Sequence, residues 1–188
     1  RPLDFHSLDS TDDINKKATD FSRFWNESIQ NKSLASSQPR AIICCSDSLS
    51  IKNVVHRLRE LGISTLGVHD RFKNEPSIGL YKDVPHINTD ADVWVHQHKL
   101  VEGLDDSRFC CIALFCPILN DRRLVQQVGR ILRVSKNDNT NMSAILLSPE
   151  EFNIQYNWQS YLEFEKDAKL VTVNHYRDVV DKLLNMQP

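Results

Sequence analysis

Short runs rich in apolar residues recur along the chain at the length expected of buried strands. Five of them predict strands, at residues 41–45, 64–68, 92–97, 109–115 and 143–147. Residues 41–45 are apolar at every position rather than at alternate ones, which is typical of a parallel strand covered on both faces. Residues 1–10 show no such pattern, and we expect them to be irregular. The pattern therefore predicts an α/β fold with a mainly parallel sheet.

Helical periods lie between these runs. The first helix is predicted to begin after a cap at Asp12 or Asp13. Its apolar residues recur at helical spacing and are Ile14, Ala18, Phe21, Trp25 and Ile29. Residues 50–61 form a second amphipathic pattern, which Gly62 ends. Strand, helix and strand in this order make a βαβ unit with a right-handed crossover. Two more helices are predicted beyond Pro149, at about residues 150–168 and 173–186.

These elements predict three segments, an amino-terminal helical segment over residues 1–38, an α/β domain over 39–148 and a carboxy-terminal helical extension over 149–188. The chain begins at Arg1 rather than Met, which favours a piece of a longer protein. No apolar stretch is long enough to cross a bilayer, and no signal segment opens the chain. We therefore expect an intracellular, cytoplasmic protein with no membrane partner.

Charge and cysteine content restrict the chemistry. The net charge of −2 excludes attraction of the whole surface to nucleic acid, so any such contact must be local. A local basic stretch exists at Arg122, Arg123, Arg130, Arg133 and Lys136. The five cysteines have no metal-ligand spacing and lie in apolar runs, which predicts buried, reduced thiols. His96 and His98 provide only two zinc ligands, so we predict no metal site.

The segment from Asp121 to Arg133 separates its residues onto two sides of a predicted helix, capped by Asn120 or Asp121. At roughly 100° per residue, the apolar side chains share one side, and the other side carries Gln126, Gly129, Arg130 and Arg133. Glycine allows close approach to the backbone, and guanidinium groups bind phosphate through a planar, permanently charged fork. This side is therefore predicted to bind phosphate.

The order Gln126-x-x-Gly129-Arg130-x-x-Arg133 resembles QxxGRxxR, the sixth conserved motif of superfamily 2 helicases. The sequence Lys-Leu-Val-Glu-Gly-Leu-Asp at residues 99–105 resembles the fifth motif of the DEAD/DEAH-box and restriction-enzyme-like branches. Residues 41–46 are similar to the fourth motif. The resemblance spans residues 39–148 and implies a carboxy-terminal RecA-like domain, a three-layer α/β/α sandwich of the P-loop NTPase type.

The resemblance implies a role for each motif residue. Arg130 and Arg133 would reach the γ-phosphate of ATP, with Arg133 as the arginine finger. The nucleotide-binding residues would further include Gln126, Gly129, Glu102, Gly103 and Asp105. Three residues at strand ends, Ser46, Gln97 and His98, would contact the nucleic-acid backbone.

The sequence contains no G-x-x-x-x-G-K-[ST] segment and no DExx strand. ATP and Mg²⁺ would therefore be held mainly by a separate amino-terminal RecA-like domain. The expected function is that of the carboxy-terminal motor domain of an ATP-dependent helicase or translocase acting on DNA or RNA. We expect this chain alone to be inactive as an ATPase.

Two other functions stay open. One is a degenerate, non-hydrolysing RecA-like domain that serves as a nucleic-acid or protein interaction module. The other is an unrelated nucleotide-binding α/β enzyme, which predicts activity from this chain alone. Separately, Lys52, His56 and Arg59 lie on one side of the second predicted helix. They form either a backbone-binding stripe or, as we favour, an ordinary solvated helix face.

Overall fold

The computed structural model describes residues 1–30, 38–86, 89–101, 106–118, 121–133 and 143–167. Within these residues one sheet has the strands β1 (Leu3–Leu8), β2 (Arg40–Cys44), β3 (Thr65–Val68), β4 (Leu80–Tyr81), β5 (Val93–His96), β6 (Phe109–Leu114) and β7 (Ala144–Pro149). Their order is β1-β7-β6-β2-β5-β3-β4, and all pairs are parallel. The predicted parallel α/β fold is confirmed.

The helices are α1 (Ile14–Phe24), which continues as a π-helix over Trp25–Gln30, α2 (Ser48–Glu60) and α3 (Asp121–Ile131). Short 3₁₀ turns cover Pro76–Ile78, Lys99–Val101 and Glu150–Phe152. Residues 154–167 form another helix, α4. Arg1–Phe152 is one compact unit, and α4 belongs to a second. The predicted helix at 173–186 and the predicted cap at Asn120 lie outside the described residues, and the predicted domain boundaries stay predictions.

Carboxylates fix the starts of the first two helices. Asp13 accepts a hydrogen bond from the backbone N–H of Asn15 at 2.9 Å, which confirms one of the two predicted caps. Asp47 accepts from the N–H of Ser50 at 2.8 Å and begins α2 directly after β2. Gly62, with φ of 82°, ends α2 as predicted. Both caps satisfy N–H groups that a helix leaves unpaired at its first turn.

The sheet extends beyond the predicted strands at both edges. The expectation that residues 1–10 are irregular is wrong, because Leu3–Leu8 forms β1 and pairs with β7. As an edge strand, β1 exposes Asp4 and His6 and half-buries Leu3, so it lacks the continuous apolar run by which the inner strands are recognised. Two residues, Leu80–Tyr81, form the other edge.

Both faces of the central strands are buried. Ala41 and Ile43 of β2 belong to a core cluster with residues of α1 and α2, including Phe21 and Leu58. Ile42, which points to the opposite face, is also fully buried. Near the amino ends of the strands, the buried Arg40 contacts Asp106 at 3.1 Å. No described helix has the length and apolar character needed to cross a membrane.

Candidate functional site

Three loops meet at the carboxyl edge of the sheet, after β2, β3 and β5. The Gln97 side-chain amide donates to the backbone carbonyl of Ser46, and its oxygen lies 3.0 Å from His69 Nε2. His69 Nδ1 accepts from the N–H of Arg71 at 3.0 Å, so the ring proton is on Nε2 and is donated to Gln97. Gln97 therefore joins the loops that follow β2, β3 and β5 at this edge.

Ser46 and Asp47 form the first turn beyond β2. The exposed Ser46 hydroxyl donates to an Asp47 carboxylate oxygen at 2.7 Å. The N–H of Ser50, followed by the Ser46 hydroxyl, lowers the pKa of Asp47, so the carboxylate is ionised near neutral pH. A phosphate approaching Ser46 would meet this charge, and Ser46 would have to turn its hydroxyl away from Asp47 to donate to it.

Arg123 links α3 to these loops. Its Nη2 donates to the backbone carbonyl of Gln97 at 2.6 Å. This contact could not be predicted from the sequence, where Arg123 belongs only to a basic stretch, because the two residues are 26 positions apart and no motif joins them. Through Arg123 and Gln97, the position of α3 is tied to the loop that carries Ser46.

The predicted polar side of α3 divides into a buried and an exposed part. Gly129 is exposed and Gln126 is half-buried, whereas Arg130 is only 6% exposed. α3 ends at Ile131, so Arg133, which is also exposed, lies just beyond the helix and not on it as predicted. The expectation that Arg130 lies on an open side with Arg133 is therefore wrong. At roughly 100° per residue, Arg130 lies beside Gln127, next to the apolar stripe of the helix. Gln127 is itself fully buried.

His96, the last residue of β5, is fully buried beneath α3. Its Nδ1 accepts from the N–H of Leu100 at 3.2 Å, and its Nε2 lies 3.4 Å from Cys44 Sγ. Burial, with help from the charges of Arg123 and Arg130, lowers the pKa of His96 to about 3. His96 is therefore neutral under ordinary conditions, and it adds no positive charge to that of the nearby arginines.

His98 differs from His96 because it is exposed. Partial burial, followed by the charge of Arg123, lowers its pKa. Within the described parts of the chain, no group of three or more His, Cys, Asp or Glu side chains could hold a metal ion. The cysteines are free thiols, of which four are buried and Cys116 is half-buried, so the prediction of reduced thiols in apolar surroundings is confirmed.

Gly129 has no packing role among the described residues. It lies near the end of α3 and is exposed. A Cβ added there would meet no heavy atom of the described structure within 4 Å. The described part of the structure therefore gives no steric reason for a glycine at this position. Glu102, Gly103 and Asp105, the other predicted nucleotide-binding residues, lie outside the described residues.

No protein-family model and no curated protein matches the sequence. The solved structures that match its fold include one of a helicase and one of a DEAD-box protein domain. One is the RNA helicase Prp28 from Chaetomium thermophilum bound to ADP, with a TM-score of 0.57 and 13% identity over 88% of this chain. The other is the C-terminal domain of the DEAD-box protein Dbp5, with a TM-score of 0.54 and 12% identity over 86% of this chain.

This chain has the fold of a helicase carboxy-terminal RecA-like domain. The match with this chain spans 37% of the Prp28 chain and 84% of the Dbp5 domain structure. At these identities the likeness concerns the fold. This likeness in fold agrees with the resemblance to helicases in the sequence, which rests on the motifs.

Proposed function

We propose that this RecA-like domain is the carboxy-terminal motor domain of an ATP-dependent helicase or translocase. Its fold, and the QxxGRxxR order carried by α3 and the residues just beyond it, support this function together. Arg133 is the arginine finger, since it is exposed and can reach a phosphate held by another domain. Arg130, which is buried, assists it by holding positive charge behind the helix surface.

The observation that carries this proposal is the exposed Gly129. An exposed glycine near the end of a helix costs stability relative to alanine, by roughly 0.5–1 kcal/mol. Because the described structure leaves room for a Cβ at this position, folding offers no compensation for that cost. Close approach of a nucleotide to the backbone between Gln126 and Arg133 explains the glycine.

ATP and Mg²⁺ would be held mainly by an amino-terminal RecA-like domain in the complete protein. The residues of α3 and of the turn after it fit an anion rather than a cation, because Arg122, Arg123 and Arg130 on the helix and Arg133 just beyond it bring four positive charges. Mg²⁺ prefers oxygen ligands and bound water, so it belongs with the other domain. The arginines would stabilise the charge that develops on the transferred phosphoryl group.

DNA or RNA would cross the carboxyl edge of the sheet near Ser46 and the exposed His98. In this function Gln97 serves less as a nucleic-acid contact than as the connection between Ser46 and α3, since its amide and its carbonyl are both engaged. Movement of α3 on nucleotide binding would then reach the nucleic-acid edge through Arg123 and Gln97.

The test uses the full-length protein. Arg133→Ala should lower nucleic-acid-stimulated ATP hydrolysis on the order of 10³-fold while nucleotide binding is kept. Arg23→Ala is a matched control, since Arg23 is an exposed arginine paired with Asp20 on α1, and it should leave turnover unchanged. Equal turnover in the Arg133→Ala protein and the wild type would refute the finger assignment.

The burial of Arg130 favours a second candidate function, a non-hydrolysing interaction domain in which this arginine only supports the helix. A full-length protein that binds nucleic acid but hydrolyses no ATP would support that function. ATP hydrolysis by this chain alone would instead indicate an independent nucleotide-binding enzyme.

A further inference from the structure

A groove of about 710 Å³ lies between the later turns of α2 and the turn before β4. Its floor is apolar and includes the buried side chains of Val55 and Leu80. Ile78 lies in the same groove and is 47% exposed, which is high for an isoleucine beside buried apolar residues. The groove thus presents an apolar surface to solvent at a distance along α2 from Ser46 and Asp47.

Internal contacts hold the groove in shape. Arg59 donates to the carbonyl of Ser77 at 2.9 Å and to that of Thr65 at 3.3 Å, which fastens the turn to α2. Gly79, with φ of 76°, makes this possible, because an added Cβ would lie 2.5 Å from Arg59 Nη1 and 2.6 Å from the Thr65 carbonyl oxygen. The groove is therefore formed before any ligand arrives, and a fixed positive charge lines it.

A second groove, of about 380 Å³, runs along the other side of α2. It shares His56 and Glu60 with the first, and its lining adds Lys16 and Arg57. Glu60 lies 3.3 Å from both His56 and Arg57, and its one negative charge offsets only part of the positive charge around the grooves. The permanent positive charges of the two grooves are those of Lys16, Lys52, Arg57 and Arg59. Both grooves are therefore positive, although the whole chain has a net charge of −2.

We propose that these two grooves bind an acidic peptide segment of a partner protein, with a large apolar side chain seated against Ile78, Val55 and Leu80. Acidic residues on either side of that anchor would meet Lys52 on one side of α2 and Lys16 and Arg57 on the other. In a short acidic segment with one apolar anchor, the anchor matches the apolar floor of the first groove and the acidic residues match the basic side chains that line both grooves. The site is separate from the proposed motor function and does not depend on it.

Nucleic acid fits this surface less well. Proteins that bind single strands combine positive charge with aromatic side chains on which bases stack. Among the described residues that line the two grooves, none is a phenylalanine, tyrosine or tryptophan. An apolar floor of isoleucine, valine and leucine offers nothing to a phosphate backbone. The stripe of Lys52, His56 and Arg59 is thus explained better by a peptide than by a nucleic-acid backbone.

The experiment selects from a phage-displayed library of random 12-residue peptides on the purified chain. Peptides enriched on the wild-type chain should contain a large apolar residue flanked by Asp or Glu. Synthetic copies should bind the Ile78→Asp variant about tenfold or more weakly, because one apolar anchor loses its contact. Lys52→Glu should slow association and reduce its dependence on salt.

Two controls separate loss of the site from loss of folding. Val84→Asp changes an apolar residue that is 38% exposed and does not line the groove, so peptide affinity should stay at the wild-type value. Ile78 and Lys52 are exposed, and unchanged thermal melting of their variants would show that they fold.

Two outcomes would overturn the proposal. One is enrichment of the same peptides on the wild-type chain and on Ile78→Asp, or no enrichment on either. The other is binding of a single-stranded oligonucleotide that Ile78→Asp or Lys52→Glu weakens as strongly as peptide binding, which would assign the groove to nucleic acid.

Discussion

Replacing Gly129 by alanine separates what α3 needs for folding from what it needs for a ligand. Alanine is favoured over glycine inside a helix by about 1 kcal/mol, and the gain is smaller near a helix end. Gly129 is two residues from the last residue of α3, Ile131, and its Cβ would meet no described atom. The gain in unfolding free energy should therefore be about 0.5–1 kcal/mol.

The assay combines unfolding with activity. For a protein of this size, the expected gain raises Tm by about 1–4 °C, which a thermal melt of the isolated chain measures. Gly129→Ser should give a smaller gain, because serine is a poorer helix former than alanine. In the full-length protein, the same Gly129→Ala change should lower nucleic-acid-stimulated ATP hydrolysis, since the methyl group occupies the space into which the nucleotide would come.

Either of two results would refute this reasoning. A lower Tm for Gly129→Ala would mean that the Cβ meets an atom in the folded chain. A higher Tm with unchanged ATP hydrolysis would mean that no nucleotide approaches the backbone at this position, and the glycine would lose its place in the proposed site.

Three further predictions concern stability, each measured by urea unfolding. Gly62→Ala should lower the free energy of unfolding by about 1–2 kcal/mol because Gly62 has a positive φ. Gly79→Ala should lower it more, because the added Cβ would also be crowded. Equal losses in the two variants would contradict this. Asp106→Ala leaves Arg40 buried without its carboxylate and should cost about 3–5 kcal/mol, unlike a surface pair. Asp47→Ala should cost about 1 kcal/mol. Folding lowers the pKa of Asp47, so the stability lost in Asp47→Ala should be present in full above pH 3.8, the ordinary pKa of the carboxyl group. The loss should disappear as the pH falls through the lowered pKa of the folded state. A loss of stability that does not change with pH would argue against the cap.

The inner strands were predictable because burial on both faces leaves a plain signal in the sequence. β2 and β6 are buried at every position, and apart from Arg40 at the start of β2 each gives an unbroken apolar run. β1 lies at the edge of the sheet and is exposed at several positions, so Leu3–Leu8 carries polar residues and gives no apolar run. Its partner β7 is distant in the sequence, so no local pattern indicates the pairing either. β4 has two residues, which is too few for any period.

The parts of the candidate site that follow from the direction of the strands could be predicted from the sequence. The parts that depend on where the side chains of α3 lie could not. Ser46 and Gln97 follow parallel strands, so their meeting at one edge could be expected. The contact of Arg123 with Gln97 and the burial of Arg130 depend on how α3 is rotated against the sheet. A helical period gives angles between residues, but it does not fix where the buried sector ends.

The pairing of β1 with β7 has a consequence for synthesis of the protein. Leu3 lies opposite Ala144, so the first strand must wait for about 140 residues before its partner exists. At bacterial and eukaryotic elongation rates this delay is about 7–30 s. During that time β1 has no parallel neighbour, while α1 and α2 can already dock on each other. We therefore expect β1 to be the last strand to join the sheet on the ribosome.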